Sequence, residues 1–168
     1  MQSKLTPDNR NNLDVLALAL QFQNEEFQKI CNLAPCGYHS LDCHSVYLDI
    51  NQSELNMLGY ERDEVVGKIC FPDLLTPESK RKLRDNCVKF QERGFIKDLE
   101  LEMVRKDGSI CPVSLSATIV RDDEGNYLIS RSVVVDLSER KRDEAGREEI
   151  ALMRQNSRDL TEQILDAV

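Results

Sequence analysis

An α+β fold is predicted for this chain: a five-stranded antiparallel sheet with short helices covering one face, flanked by N- and C-terminal helices. Three observations lead to it. Two short strand-like segments come first, then several helical ones, then three long strand-like ones, an order that gives one sheet whose apolar face the intervening helices cover. From Asp98 to Met103, Leu99, Leu101 and Met103 alternate with Asp98, Glu100 and Glu102, giving one buried face and one wet, acidic face. Asp107-Gly108 then turns the chain back, and Val113, Leu115, Ala117 and Ile119 alternate with Ser114, Ser116 and Thr118 on the return strand.

Residues 1–12 are polar and are expected to be disordered. Over 13–32, Leu13, Leu16, Leu20, Phe27 and Ile30 recur at spacings of three, four and seven, the stripe of an amphipathic helix that Ala34-Pro35 ends. That stripe either packs on its own domain or pairs with the same helix of a second chain. The domain itself is expected over 33–136. Short strands near Gly37–Asp42 and Val46–Ile50 flank a tight connection at Cys43-His44-Ser45. Gln52–Leu58 is a short helix stopped by Gly59, and Arg62–Val66 is another turn ending at Gly67. Thr76-Pro77-Glu78-Ser79 opens a longer helix, with threonine as cap and proline at its first position, which runs to about Arg93 and stops at Gly94. After the hairpin, Asp122-Asp123-Glu124-Gly125-Asn126 turns the chain into a last strand, Leu128–Val135.

Over 137–168 the chain is helical and charged. Ile150, Met153, Ser157, Leu160, Ile164 and Ala167 step by three and four, the narrow seam of a coiled coil, with Ser157 weakening its middle. A lone helix of this kind is marginal in water, so the seam points to pairing of two copies in preference to docking on the sheet.

Composition excludes several classes of function. The formal charge of −8 sets a field unfavourable to phosphates, and the one basic cluster, Lys80-Arg81-Lys82 with Arg84, has no neighbouring aromatic residues to stack on bases. No nucleic acid is expected as a partner. No secretory signal and no apolar run of membrane-spanning length is visible, so no membrane insertion is expected and the cytoplasm is the expected location. The six cysteines are irregularly spaced and read as reduced thiols.

Catalytic residues are not apparent. His39 and His44, the only two histidines, lie in no nucleophile motif, and the carboxylates, spread along strand and helix faces, read as solubilising. Cys36, His39, Cys43 and His44 have metal-binding chemistry, but adjacent strand residues point to opposite faces and the spacing fits no common zinc module, so no metal is assigned.

Four short segments in register carry a resemblance. Asn51-Gln52-Ser53-Glu54-Leu55-Asn56-Met57-Leu58-Gly59-Tyr60, Glu64-Val65-Val66-Gly67, the hairpin Val104-Arg105-Lys106-Asp107-Gly108-Ser109, and the exit Val133-Val134-Val135-Asp136-Leu137-Ser138-Glu139-Arg140-Lys141 stand in the order and spacing of a PAS domain, which the stretch from Leu33 to Arg142 resembles. The resemblance implies a sensor module with a pocket between sheet and helices, for which the candidate lining residues are Leu55, Leu58, Ile69, Cys70, Leu74, Cys87, Leu101, Met103 and Leu115. It also implies an output junction at Asp136, Ser138 and Arg140, with Arg140 in reach of the Asp136 carboxylate.

No cofactor is assigned. Haem-binding relatives take their histidine from the long helix, and Pro77–Arg93 offers only Cys87. Flavin-binding relatives carry a cysteine three residues after the glycine, as Cys70 follows Gly67, yet Phe71-Pro72-Asp73 follows it, and Met103 and Ser114 stand where flavin-holding amides are expected.

The expected function is a cytoplasmic sensor and dimerisation module, not itself an enzyme, that holds a small-molecule ligand. It would form a homodimer through its terminal helices, with Ile150, Met153, Leu160 and Ile164 on the seam, and relay its signal through the coiled coil to an effector, a sensor histidine kinase as first choice. The alternatives are a structural dimerisation module without ligand, or a haem- or flavin-binding redox or light sensor.

Overall fold

The computed structural model describes residue 26 and residues 29–166, with the backbone alone over 156–166. The predicted segment 1–12 and most of the predicted N-terminal helix, including Leu13, Leu16, Leu20 and Phe27, lie outside the described residues. So do Ala167 and the side chains of Ser157, Leu160 and Ile164 on the seam.

The described chain enters on the end of a helix, α1 (29–33). Strands β1 (Gly37–Leu41) and β2 (Tyr47–Ile50) follow, then helices α2 (Gln52–Leu58) and α3 (Arg62–Val65), a 3-10 turn (Phe71–Leu74) and helix α4 (Pro77–Arg93). Three long strands, β3 (Phe95–Val104), β4 (Ile110–Arg121) and β5 (Tyr127–Asp136), lead into α5 (Ser138–Asp166). The five strands form one antiparallel sheet in the order β2-β1-β5-β4-β3, so the first and last strands of the domain lie side by side at its centre.

Local chemistry explains the boundaries. Asn51 caps α2 by accepting the Glu54 amide at 3.0 Å, and Gly59, at φ 77°, closes it in the left-handed conformation that costs glycine least. Thr76 caps α4, with proline at the first helical positions, and Gly94 ends it at φ 79°.

One apolar face of the sheet is covered. Leu101, Met103, Cys111, Val113, Leu115 and Val134 of the sheet pack against Leu55 and Leu58 of α2, Val65 of α3, and Phe71, Leu74 and Leu75 around the 3-10 turn. Each fully buried side chain of this size stabilises the fold by roughly 1.5–3 kcal/mol, so this half of the molecule is the rigid half.

Helix α4 is held differently. Of its 17 residues only Ser79 is buried. Its N-terminal end is pinned to β3, where the Thr76 amide donates to the Glu102 carbonyl at 3.1 Å and the Glu102 amide to Ser79 Oγ at 2.8 Å. Its C-terminal end is pinned to β4, where Arg121 Nη2 donates to the Gln91 carbonyl at 2.7 Å and the Ile119 amide to the Gly94 carbonyl at 2.7 Å. Between these two anchorages the helix spans a cavity.

Candidate functional site

Side-chain size creates the cavity. On the inner face of the sheet, β4 and β5 carry Ala117, Ser130 and Ser132 where the rigid half carries leucine, methionine and valine. These small residues leave a space of about 470 Å³ between the sheet and α4, within the roughly 300–1,000 Å³ usual for small-molecule sites. Leu83, Asn86 and Phe90, at helical spacing, half-buried, face it from α4, and Leu41, Phe71 and Leu115 complete an apolar wall. Exposed Lys80, Arg84 and Cys87 also line it, so it reaches solvent on the α4 side.

The polar feature of this wall is His39. Its ring and the Glu54 carboxylate are both wholly buried, and His39 Nδ1 lies 2.8 and 2.9 Å from the two carboxylate oxygens. The ring stacks edge-on to Tyr47, with centroids 5.0 Å apart, and tilts against Phe71 at 5.1 Å. The Tyr47 hydroxyl donates a long bond, 3.5 Å, to Glu54 Oε1; burial, then the adjacent carboxylate, pushes its ionisation well above the ordinary value of 10. His39 Nε2 is buried without a hydrogen-bond partner, the one such side-chain nitrogen or oxygen among the described residues. His39 lines the cavity and Glu54 does not, and Nε2 is the polar atom of the pair without a partner.

The chain approaches this pair closely. A Cβ on Gly37 would sit 3.0 Å from Glu54 Cβ, 3.1 Å from its Cγ and 3.1 Å from Oε2, so only glycine lets β1 pass over the buried carboxylate. Asn51, three residues before Glu54, fastens the region: its Oδ1 accepts the Tyr38 amide, and its Nδ2 donates to the carbonyls of Cys31 and Cys36 at 2.6 and 3.0 Å.

The expected pocket is displaced from the observed one. Of the nine candidates, only Leu115 and Cys87 line the cavity. Leu55, Leu58, Leu74, Leu101 and Met103 belong to the filled core, Ile69 packs against it, and Cys70 precedes the 3-10 turn half-buried, away from the cavity. The reason is volume: large apolar residues fill the space they face, and the void opens over the small ones. Glu54, read as a solubilising carboxylate, is instead buried. Cys36, His39, Cys43 and His44 do not converge, and among the described residues no three His, Cys, Asp or Glu side chains gather to hold a metal.

At the strand exit, Asp136 Oδ1 accepts the Ser138 amide at 2.7 Å and so caps α5. The expected Asp136–Arg140 pair is absent. Arg140 turns along the helix to Glu144 at 2.9 Å, while Arg105 reaches Asp136 Oδ2 at 3.6 Å and donates through Nε to the Met57 carbonyl at 2.8 Å. The aspartate lies before the first helical turn, beside the β3–β4 hairpin, which brings Arg105 to it. Burial acts to raise the Asp136 carboxyl, but hydrogen bonds from Ser138 and Cys111 and the Arg105 charge outweigh it and hold it below its ordinary value. Burial, then Asp136, pushes the Cys111 thiol up to about 11. Leu137 is buried and its amide donates to the Pro112 carbonyl at 2.8 Å, and Lys141 pairs with Glu100 at 3.1 Å, seating the helix root on the sheet. Further along, Ile150 and Met153 are 53% and 61% exposed.

Comparison with known proteins agrees with this architecture. A family model described as a PAS domain matches residues 35–139. A curated relative, the methyl sulfide methyltransferase-associated sensor of Methanosarcina acetivorans, is 31% identical over 98 residues, 58% of this chain, which spans 9% of that protein's length. Among solved structures, a PAS domain from Colwellia psychrerythraea superposes with a TM-score of 0.62 at 16% identity, covering 68% of this chain and 97% of that one. A PAS domain from a two-component sensor histidine kinase gives 0.59 at 15%, covering 69% and 97%.

Proposed function

We propose, from the premise that this chain belongs to the PAS domain family, that it is a ligand-sensing module whose cavity state is passed through β5 to α5. One observation carries the reading. Ser130 and Ser132 of the cavity floor lie on the strand that ends in Asp136, so a change in what fills the cavity bears on the segment that caps the output helix. The family consists of sensor modules rather than catalysts, and the cavity offers recognition through His39 and a largely apolar wall.

The exposed apolar side chains of Ile150 and Met153 support pairing of α5 with a second copy, a homodimer continuing as a coiled coil. An effector beyond that coil, a sensor histidine kinase as first choice, follows by analogy with the curated sensor relative and with the sensor kinase whose PAS domain shares this fold. Six unpaired thiols fit the reducing cytoplasm. A purely structural dimerisation module would have no use for a cavity, and Cys70, the thiol a flavin adduct would use, is not among the cavity-lining residues.

Native mass spectrometry tests the reading in one measurement. The expected species is a dimer that releases a small molecule on denaturation or gains one from host extract. A monomer that neither carries nor acquires a ligand would overturn it.

A further inference from the structure

We propose that His39 is the ligand-anchoring donor of the cavity, and that the ligand is a largely apolar, ring-sized organic molecule with a carbonyl or carboxylate oxygen that accepts from Nε2. The inference rests on the sensing reading above and names the chemistry of its ligand.

Two buried groups set the chemistry of the wall. His39 and Glu54 are each wholly buried, and the one ion-pair contact either makes is with the other. An uncompensated charge in such a place costs several kcal/mol, which favours a pair of zero net charge. Two such arrangements keep a hydrogen between Nδ1 and the carboxyl group: a doubly protonated imidazole beside an ionised carboxylate, or a neutral ring that accepts the carboxyl hydrogen at Nδ1. A neutral ring donating from Nδ1 to a neutral carboxyl would leave the carboxyl hydrogen only the Tyr47 oxygen, 3.5 Å away. The two favoured arrangements leave a hydrogen on Nε2, so this unpartnered atom is a donor that lacks an acceptor.

The surroundings set the rest of the ligand. Leu41, Phe71, Leu83, Phe90, Leu115 and Ala117 offer apolar contact on several sides, and Tyr47 and Phe71 lock the imidazole plane so that Nε2 holds one direction. A donor fixed by a second-layer carboxylate sets the position of one ligand oxygen, beside the Ser130 and Ser132 hydroxyls and the Asn86 amide that also line the cavity. Iron ligation by the same nitrogen would instead require its lone pair, with Nδ1 donating its hydrogen to Glu54.

A matched pair of probes isolates that oxygen: acetophenone, and α-methylstyrene, in which a methylene replaces the carbonyl oxygen. Their affinities for the whole chain are measured by amide NMR titration, for the natural protein and for the shape-conserving double variant His39→Phe/Glu54→Met. The acetophenone-to-methylstyrene affinity ratio is expected to fall about tenfold in the variant, the worth of one such hydrogen bond. Because it is a ratio of ratios, the probes' different hydrophobicity cancels. In the natural protein the ¹⁵N signal of His39 Nε2 should shift with acetophenone and not with α-methylstyrene, a readout independent of how well the variant folds.

An unchanged ratio together with a silent Nε2 signal overturns the assignment of His39 and leaves the sensing reading standing. Failure of both probes to bind at millimolar concentration overturns both. A Soret band formed with added hemin and lost in the variant overturns the donor role in favour of ligation.

Discussion

Replacing His39 alone by phenylalanine strands a carboxylate in the core. The aromatic ring is accommodated, because His39 already stacks with Tyr47 and Phe71 at 5.0 and 5.1 Å, but Glu54 keeps only the 3.5 Å hydroxyl of Tyr47. Breaking a buried pair from one side costs about 3–5 kcal/mol. Glu54→Met, unbranched like glutamate and so able to pass under Gly37, leaves Nδ1 without its acceptor, at about 1–3 kcal/mol. Replacing both partners by apolar groups of similar shape removes the unpaired groups, and the double variant should unfold within about 1 kcal/mol of the natural protein. The coupling between the two sites is then at least about 3 kcal/mol. Urea unfolding followed by far-ultraviolet circular dichroism measures all four proteins, with equal slopes required for the comparison. If the double variant lost the sum of the single losses to within about 0.5 kcal/mol, the two groups would not be acting as a pair and the reasoning would fail.

Two further outcomes follow from the geometry. Asp136→Ala removes the cap of α5 and should cost about 1 kcal/mol at pH 7, whereas Asp136→Asn keeps an acceptor oxygen and loses only a partly exposed charge pair, under about 1 kcal/mol. Because the folded carboxyl is held below its ordinary 3.8, the charge contribution is whole above that value and is lost as pH falls through the lowered one; the gap between the natural protein and Asp136→Asn should therefore close in acid, and a gap that widened there would contradict the sign. Gly37→Ala places a methyl 3.0 Å from Glu54 Cβ and should lower stability by about 1–3 kcal/mol through overpacking. A neutral effect in thermal unfolding would show that β1 can shift away from the pair.

Much of the framework was legible because short-range chemistry dictates it. Alternation along Leu99–Met103 and Val113–Ile119 set which face of β3 and β4 is buried, and Thr76, Pro77 and Gly94 marked both ends of α4 from local capping alone. The site was less legible, since pairing across strands and helices decides it. Glu54 sits in a seven-residue helix whose other polar residues are exposed or half-buried, and nothing in its neighbours announces that His39, fifteen residues earlier, lies against it. A carboxylate directly before the apolar Leu55, in register with Leu58, was the available hint. The cavity was illegible for the complementary reason: large apolar residues stand out in a sequence, whereas a void forms over small ones such as Ala117, Ser130 and Ser132. At the exit, spacing within one helix suggested Arg140, and only the hairpin's position could bring Arg105 there instead.

The clasp made by Asn51 gives the molecule a second direction of traffic. One amide grips the carbonyl of Cys31 in α1 and that of Cys36 after it, steadies the start of β1 and caps the helix carrying Glu54, so tension on the upstream segment bears on the bonds that hold the His39–Glu54 region in place. Free-energy coupling is reciprocal: if an occupant of the cavity alters this grip, a docking event upstream that loosens or tightens it would alter affinity in the cavity by the same factor. Such a domain could be set from its leading end as well as read from its trailing one.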